Sequence, residues 1–173
     1  MKRILIGCGV VWLFLAIAQI HAADDSGCQP VMDALAKLGE TPNRQYMVIT
    51  SAAGGGGVRE GETICVGDTT YIKVQGKWVV GPMTPKQIAR QQQENIRSAR
   101  VYNCHYDRDQ KIDGDTAAVY KAHSENEDGV EDAEIWISKA RGLIVREAVE
   151  SNGGETHMSA RFVYTNVKPP STK

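Results

Sequence analysis

Ala133-Glu134-Ile135-Trp136-Ile137-Ser138-Lys139-Ala140-Arg141-Gly142-Leu143-Ile144-Val145-Arg146-Glu147 is the stretch that decides how this chain folds. Ala133, Ile135 and Ile137 alternate with Glu134, Trp136 and Ser138, the two-residue period of a half-buried strand. Ser138 to Gly142 reads as a tight turn, and Leu143 to Glu150 returns as a second strand. Two strands joined by so short a link are antiparallel, because a parallel return needs a crossover of a dozen residues or more. The same pattern extends outward. Val101–Tyr106 and Thr116–His123 read as strands on either side of Asp113-Gly114, a hairpin signal. Ser124–Gly129 is an acidic turn, Asn152-Gly153-Gly154 another, and Met158–Val167 the last strand. Pro169-Pro170 closes the sequence pattern and Ser171–Lys173 is a tail.

The first half adds helices. Val31, Ala34, Leu35 and Leu38 repeat at three and four residues, which predicts a helix over Pro30–Leu38, with Pro30 suited to its first turn and Gly39 as its stop. Gln45–Thr50 is a strand. Glu62–Val66 and Thr70–Val74 flank the turn Gly67-Asp68, and Lys77–Val80 follows a turn at Gln75-Gly76. Thr84-Pro85-Lys86-Gln87 carries the residues of a capping box ahead of a polar helix running to about Ala99, whose apolar side is Ile88, Ala89, Ile96 and Ala99. The expectation is an α+β chain of two helices and eight or nine antiparallel strands.

The N-terminus predicts export. Met1-Lys2-Arg3 is a positive start, Ile4–Ile20 is almost wholly apolar, and Ala22-Ala23 supplies small residues before Asp24-Asp25, as in a cleaved signal peptide over 1–23. The apolar run falls short of the roughly 18 to 20 residues of a membrane span. Cys8 sits too early in the run for an acylated cysteine and leaves with the signal. The remainder, 24–170, reads as one domain. Against 21 acidic residues the 20 basic ones fall by two on cleavage. A mildly acidic, mixed surface argues against nucleic acid as a partner.

Cys28, Cys65 and Cys104 remain in a compartment that favours disulfides. Cys28–Cys104 closes a loop of about 76 residues, worth roughly 4 kcal/mol, and Cys65–Cys104 closes about 39, worth only a few tenths less. Loop entropy does not choose between them. Cys28–Cys104 is preferred because it staples the start of the first helix to the sheet.

Chemistry-bearing patterns are sparse. Gly54–Gly57 lacks the Gly-Lys-Ser/Thr of a phosphate loop and reads as a flexible hairpin. Asp107 to Asp115 invites a calcium loop, but Lys111 stands at the third position counted from Asp109, so a solvated turn is expected. His105, His123 and His157 show no metal-ligand spacing. No nucleophile, base and oxyanion set is legible, so neither catalysis nor a metal or cofactor is expected. Tyr46, Tyr71, Trp78, Tyr102, Tyr120, Trp136 and Tyr164 are spread along the strands, where aromatics pack in the core or line an apolar groove.

Residues 134–147 together with Arg161-Phe162-Val163-Tyr164-Thr165-Asn166-Val167-Lys168-Pro169-Pro170 resemble the LolA/LolB-like superfamily of Gram-negative periplasmic proteins, at Trp136, Ile137, Ser138, Gly142, Leu143, Arg146, Tyr164, Asn166, Val167 and Pro169. The resemblance implies a half-barrel, a curved antiparallel sheet with helices on its concave side, and an apolar or lipid-like ligand held between them. Tyr46, Trp78, Tyr102 and Trp136 are then the candidate ligand-binding residues. The periplasm is the implied location, with a periplasmic protein partner as the alternative to a lipid.

Overall fold

A computed structural model describes residues 28–52, 56–127 and 129–171. The expected signal peptide over 1–23, with Cys8, lies outside the described residues, as do Gly54 and Gly55 of the glycine run. The elements follow as α1 (Gln29–Glu40), β1 (Asn43–Ser51), β2 (Gly57–Val66), β3 (Thr69–Val74), β4 (Lys77–Val80), α2 (Pro85–Ser98), β5 (Val101–Ile112), β6 (Asp115–Asn126), β7 (Gly129–Ser138), β8 (Ile144–Ser151) and β9 (Thr156–Val163). The strands form one antiparallel sheet in the order β4-β3-β2-β1-β9-β8-β7-β6-β5. Two meanders are thus joined where β1 pairs with β9, from Arg44 opposite Val163 to Ser51 opposite Thr156.

This order makes α2 the link between the two edge strands. Laid flat, nine strands span eight spacings of about 4.8 Å, or about 38 Å, whereas a helix of 14 residues is about 21 Å long. Curling the sheet brings its edges together and lets such a helix complete the crossing over one face. Bulges support the curl: register shifts occur between Tyr106 and Arg108 on β5 and between Trp136 and Ile137 where β7 meets β8. Extra residues at such points bend a strand and increase its twist. The result is the α+β half-barrel expected from the sequence, with both helices against its inner face.

The core lies on that inner face. Val31, Leu35 and Leu38 of α1 pack with Cys104, Ala122, Ile135, Ile144, Ala160 and Phe162 of the sheet. A smaller cluster on the outer face joins Ala117, Val119, Trp136 and Val145. Asn43, fully buried, donates from Nδ2 to the carbonyls of Leu38 (3.1 Å) and Thr41 (2.8 Å), and so fixes the exit of α1 to the start of β1.

Local signals acted as read at α2. Thr84 Oγ1 accepts from the Gln87 amide (3.2 Å) while Gln87 Oε1 accepts from the Thr84 amide (2.8 Å), the reciprocal capping box. At Asp113-Gly114 both residues have positive φ, 49° and 84°, as a two-residue hairpin turn of the favoured twist requires.

Three local expectations are corrected. Gly39 does not stop α1, which runs on to Glu40. It is needed because α2 crosses there: a Cβ at Gly39 would lie 2.8 Å from Ala89 Cβ and 3.2 Å from the Pro85 carbonyl oxygen. Asp107–Ile112 is not a solvated turn but the second half of β5, and only Asp113-Gly114 turns. Its charges are paired: Arg108 with its neighbour Asp107 and, across the sheet, with Glu134 of β7, and Asp109 with Lys139 just past the end of β7. Last, β9 ends at Val163, and Tyr164 leaves the sheet to donate its hydroxyl to the Ile144 carbonyl (2.5 Å).

The Gly39 contact gives a direct stability test. Gly39→Val is expected to destabilise by about 1–3 kcal/mol through overpacking, read as a lower urea midpoint with an unchanged slope. Gly39→Ala should cost less, because alanine regains up to about 1 kcal/mol of helix propensity. Wild-type stability in the valine variant would contradict the close helix crossing.

Candidate functional site

Side-chain alternation divides the sheet residues between its faces. From β1 through β9, β8 and β7, the row Met47–Ala160–Glu147–Ile135 points inward, and Tyr46–Arg161–Arg146–Trp136 points outward. The inner row faces α1 and α2, and there two cavities open. One, of about 370 Å³, is lined by Val31 and Leu35 of α1, Ile96 of α2 and Ala99 at its C-terminal cap, and Tyr102, Ala133, Ile135, Ile144 and Val149 of the sheet. The other, of about 220 Å³, lies toward Leu38, Ile72, Ile88 and Phe162. Gln92, Glu147 and Met158 line both, so the two adjoin along the inner face. The larger falls within the roughly 300–1,000 Å³ typical of small-molecule sites. A third depression, about 460 Å³, is bordered on the outer face by Lys121, Asp132, Glu134, Glu150 and His157. Charged groups rim it, although Val48, Ala148 and Val149 line it as well, and no helix covers it.

The candidate aromatics divide the same way. Tyr102 lines the larger inner cavity. Tyr46 and Trp136 stand on the outer face, each stacked by an arginine: Arg161 lies 5.1 Å from the Tyr46 ring and Arg146 lies 5.0 Å from the Trp136 ring. Trp136 Nε1 also donates to Gln110 Oε1 at 3.0 Å. Trp78 is beside Lys73, whose Nζ is 5.6 Å from its ring and 2.9 Å from Glu62. Cation–π pairing of this kind is worth about 0.5–1 kcal/mol at exposed sites. These three aromatics are therefore not brought together with Tyr102.

The remaining motif residues hold the β7–β8 corner. Ser138, fully buried, donates to Asp115 Oδ2 (2.5 Å), and Arg141 Nη2 reaches the same oxygen at 3.1 Å. That hydroxyl, helped by Arg141, holds the Asp115 carboxyl below its ordinary range. Gly142 has φ of 64°, which closes the turn without side-chain strain, and Arg141 stacks 5.5 Å from the Tyr164 ring. These residues shape the fold rather than contact the inner cavities.

Cys28, Tyr102 and Cys104 form one polar group at the edge of the inner core. The sulfurs of Cys28 and Cys104 lie within hydrogen-bonding reach of each other and of the Tyr102 hydroxyl. Burial pushes both the Cys104 thiol and the Tyr102 hydroxyl up from their ordinary values. Cys65 is apart from them, buried near Thr70, and its thiol is likewise pushed up by burial. Among the described residues, no group of three His, Cys, Asp or Glu side chains is placed to hold a metal ion.

Glu147 was not singled out by sequence reasoning. It is half-buried and lines both inner cavities. Its cross-strand neighbours are Ile135 and Ala160, at 6% and 7% exposure, positions where an aliphatic side chain is the norm. Burial first, and the negative Glu131 second, push its carboxyl up. Its signal in the sequence is parity, since Val149 shares its side of β8.

No protein-family model and no curated protein matches the chain. Solved structures similar to it include the lipoprotein LppX of Mycobacterium tuberculosis (11% identity over 87% of this chain and 100% of that one, TM-score 0.49). LprF of Mycobacterium bovis is similar at 12% identity over 87% and 99% of the two chains, with a TM-score of 0.48. A LolA superfamily protein of Nitrosomonas europaea is similar at 8% identity over 79% and 91%, with a TM-score of 0.32.

Proposed function

We propose that this chain is a non-catalytic binding protein of the cell envelope that holds an apolar, lipid-like chain between its helices and the inner face of its sheet. The observation that carries the reading is the pair of adjoining inner cavities, walled mainly by aliphatic side chains of α1, α2 and the strands. Such a space binds by exclusion of water alone. Each buried methylene contributes about 0.8 kcal/mol, so a chain of several carbons needs no specific polar contact. Export by the signal peptide over 1–23 places a single domain over 24–170 in the periplasm, where apolar cargo needs shielding. Among the described residues no helix is long and apolar enough to cross a membrane.

The test is displacement of an environment-sensitive apolar fluorophore by long-chain competitors. Wild-type protein is expected to bind the probe with saturable enhancement. Ala99→Trp, which fills the end of the larger cavity from the terminus of α2, is expected to weaken binding about tenfold, about 1.4 kcal/mol, with an unchanged circular-dichroism spectrum. Equal binding by the two proteins would remove the inner cavity as the site. Absence of any saturable probe binding, with capture of a specific periplasmic protein, would instead favour a protein-interaction module.

A further inference from the structure

We infer that Glu147 is the headgroup-recognition residue of the inner cavity, and that the ligand class is a long-chain amphiphile whose polar group donates hydrogen bonds and carries no negative charge. This rests on the proposed binding function and adds to it the polar chemistry of the ligand.

Three observations meet at this residue. Glu147 lies where the two inner cavities adjoin, lining both. It occupies the inward row of β8 between Ile135 and Ala160, two members of the main apolar core. It has no hydrogen-bond or ion-pair partner among the described residues, in contrast to the paired carboxylates of the outer face. A buried carboxyl without a partner costs free energy in either protonation state, more so when charged. A ligand that supplies the missing donor recovers that cost, and one that lacks it does not.

The surroundings define which donor. Among the described residues, Glu131 is the other charged side chain lining the larger cavity, Glu147 is the one charged side chain lining the smaller, and α2 contributes the neutral Gln92 and Asn95. Among the described residues no cation lines either space. A carboxylate or phosphate headgroup would therefore meet two acidic groups and no counter-charge. An ammonium or hydroxyl group finds an acceptor in Glu147, with apolar walls on both sides for the rest of the molecule. The raised proton affinity of Glu147 agrees with a site that lacks any cation of its own.

The experiment compares dodecylamine, dodecanol and dodecanoate, equal in chain length, as competitors of the bound fluorophore at neutral pH, below the concentrations at which they form micelles. Wild-type protein is expected to bind the amine and the alcohol at least about tenfold more tightly than the carboxylate, about 1.4 kcal/mol or more. Glu147→Gln keeps the shape and a hydrogen-bonding group without the acid. It is expected to bring dodecylamine and dodecanoate to within about threefold of each other. Equal or tighter binding of dodecanoate by wild type would overturn the inference while leaving the apolar site intact. So would an unchanged ranking in Glu147→Gln. Failure of all three compounds to compete would overturn the binding function, and this inference with it.

Discussion

Oxidation with glutathione disulfide is expected to join Cys28 to Cys104 and to raise stability by roughly 4 kcal/mol. The reaction forms one S–S bond, releases the two thiol protons, and passes two electrons to glutathione disulfide, which leaves as two thiols. Cys28 precedes the first turn of α1 and Cys104 lies on the edge strand β5, so the bond ties the start of the first helix to the sheet margin. The stabilisation follows from closing a loop of about 76 residues in the unfolded chain. At about 2–4 °C per kcal/mol for a chain of this size, the oxidised protein should melt about 8–16 °C higher. Because burial raises the Cys104 thiol, and the thiolate is the attacking species, the rate should increase with pH. Cys65→Ser should keep the whole shift, and Cys104→Ser should abolish it. Peptide mapping that links Cys65 to Cys104, or equal melting of oxidised and reduced protein, would contradict this pairing.

Glu147→Leu is expected to stabilise the unliganded protein by about 1–3 kcal/mol, the range for removing a poorly satisfied buried polar group. The wild-type protein should also show a pH dependence that the variant lacks. A carboxyl whose proton affinity is raised on folding binds more protons in the folded than in the unfolded state. Its contribution is most favourable below the ordinary carboxylate pKa and is lost as pH rises through the raised folded value. The stability of wild type relative to Glu147→Leu should therefore fall across that window, since the other titrating groups, Asp115 among them, act alike on both proteins. Such a gain, coupled to loss of headgroup preference, is the trade between stability and function expected of a binding residue. A leucine variant less stable than wild type at neutral pH would show that Glu147 serves the fold instead.

Much of the architecture could be read from short-range chemistry. The capping box at Thr84, the turn at Asp113-Gly114 and the alternation of Ala133–Ser138 depend on neighbouring residues, which a sequence displays directly. What escaped depends on distant partners. Gly39 looked like a helix stop because glycine commonly is one, whereas its small size serves the contact with Ala89, 50 positions away. Asp107–Ile112 looked like a turn because it is charged, and it is a strand whose charges are balanced by Lys121 of β6, Glu134 of β7 and Lys139 of the turn after β7. Alternation assigned each aromatic to one side of its own strand, but not which side the helices cover. Registers and the two bulges decide that, and they send Tyr46 and Trp136 outward while Tyr102 faces in. Glu147 stood unremarked beside Arg146 because a charged pair on a strand usually means solvent.

The inner cavity as an apolar binding site is tested most directly by locating a bound chain. Crystals of the protein with a bromine-tagged long-chain alcohol would show the halogen by anomalous scattering. The expected peak lies between α1, α2 and the inner face, among Leu35, Ile96, Ile135 and Phe162, with the hydroxyl at Glu147. A peak confined to the outer face near His157 and Glu150, or an inner face closed by repacked side chains, would contradict it.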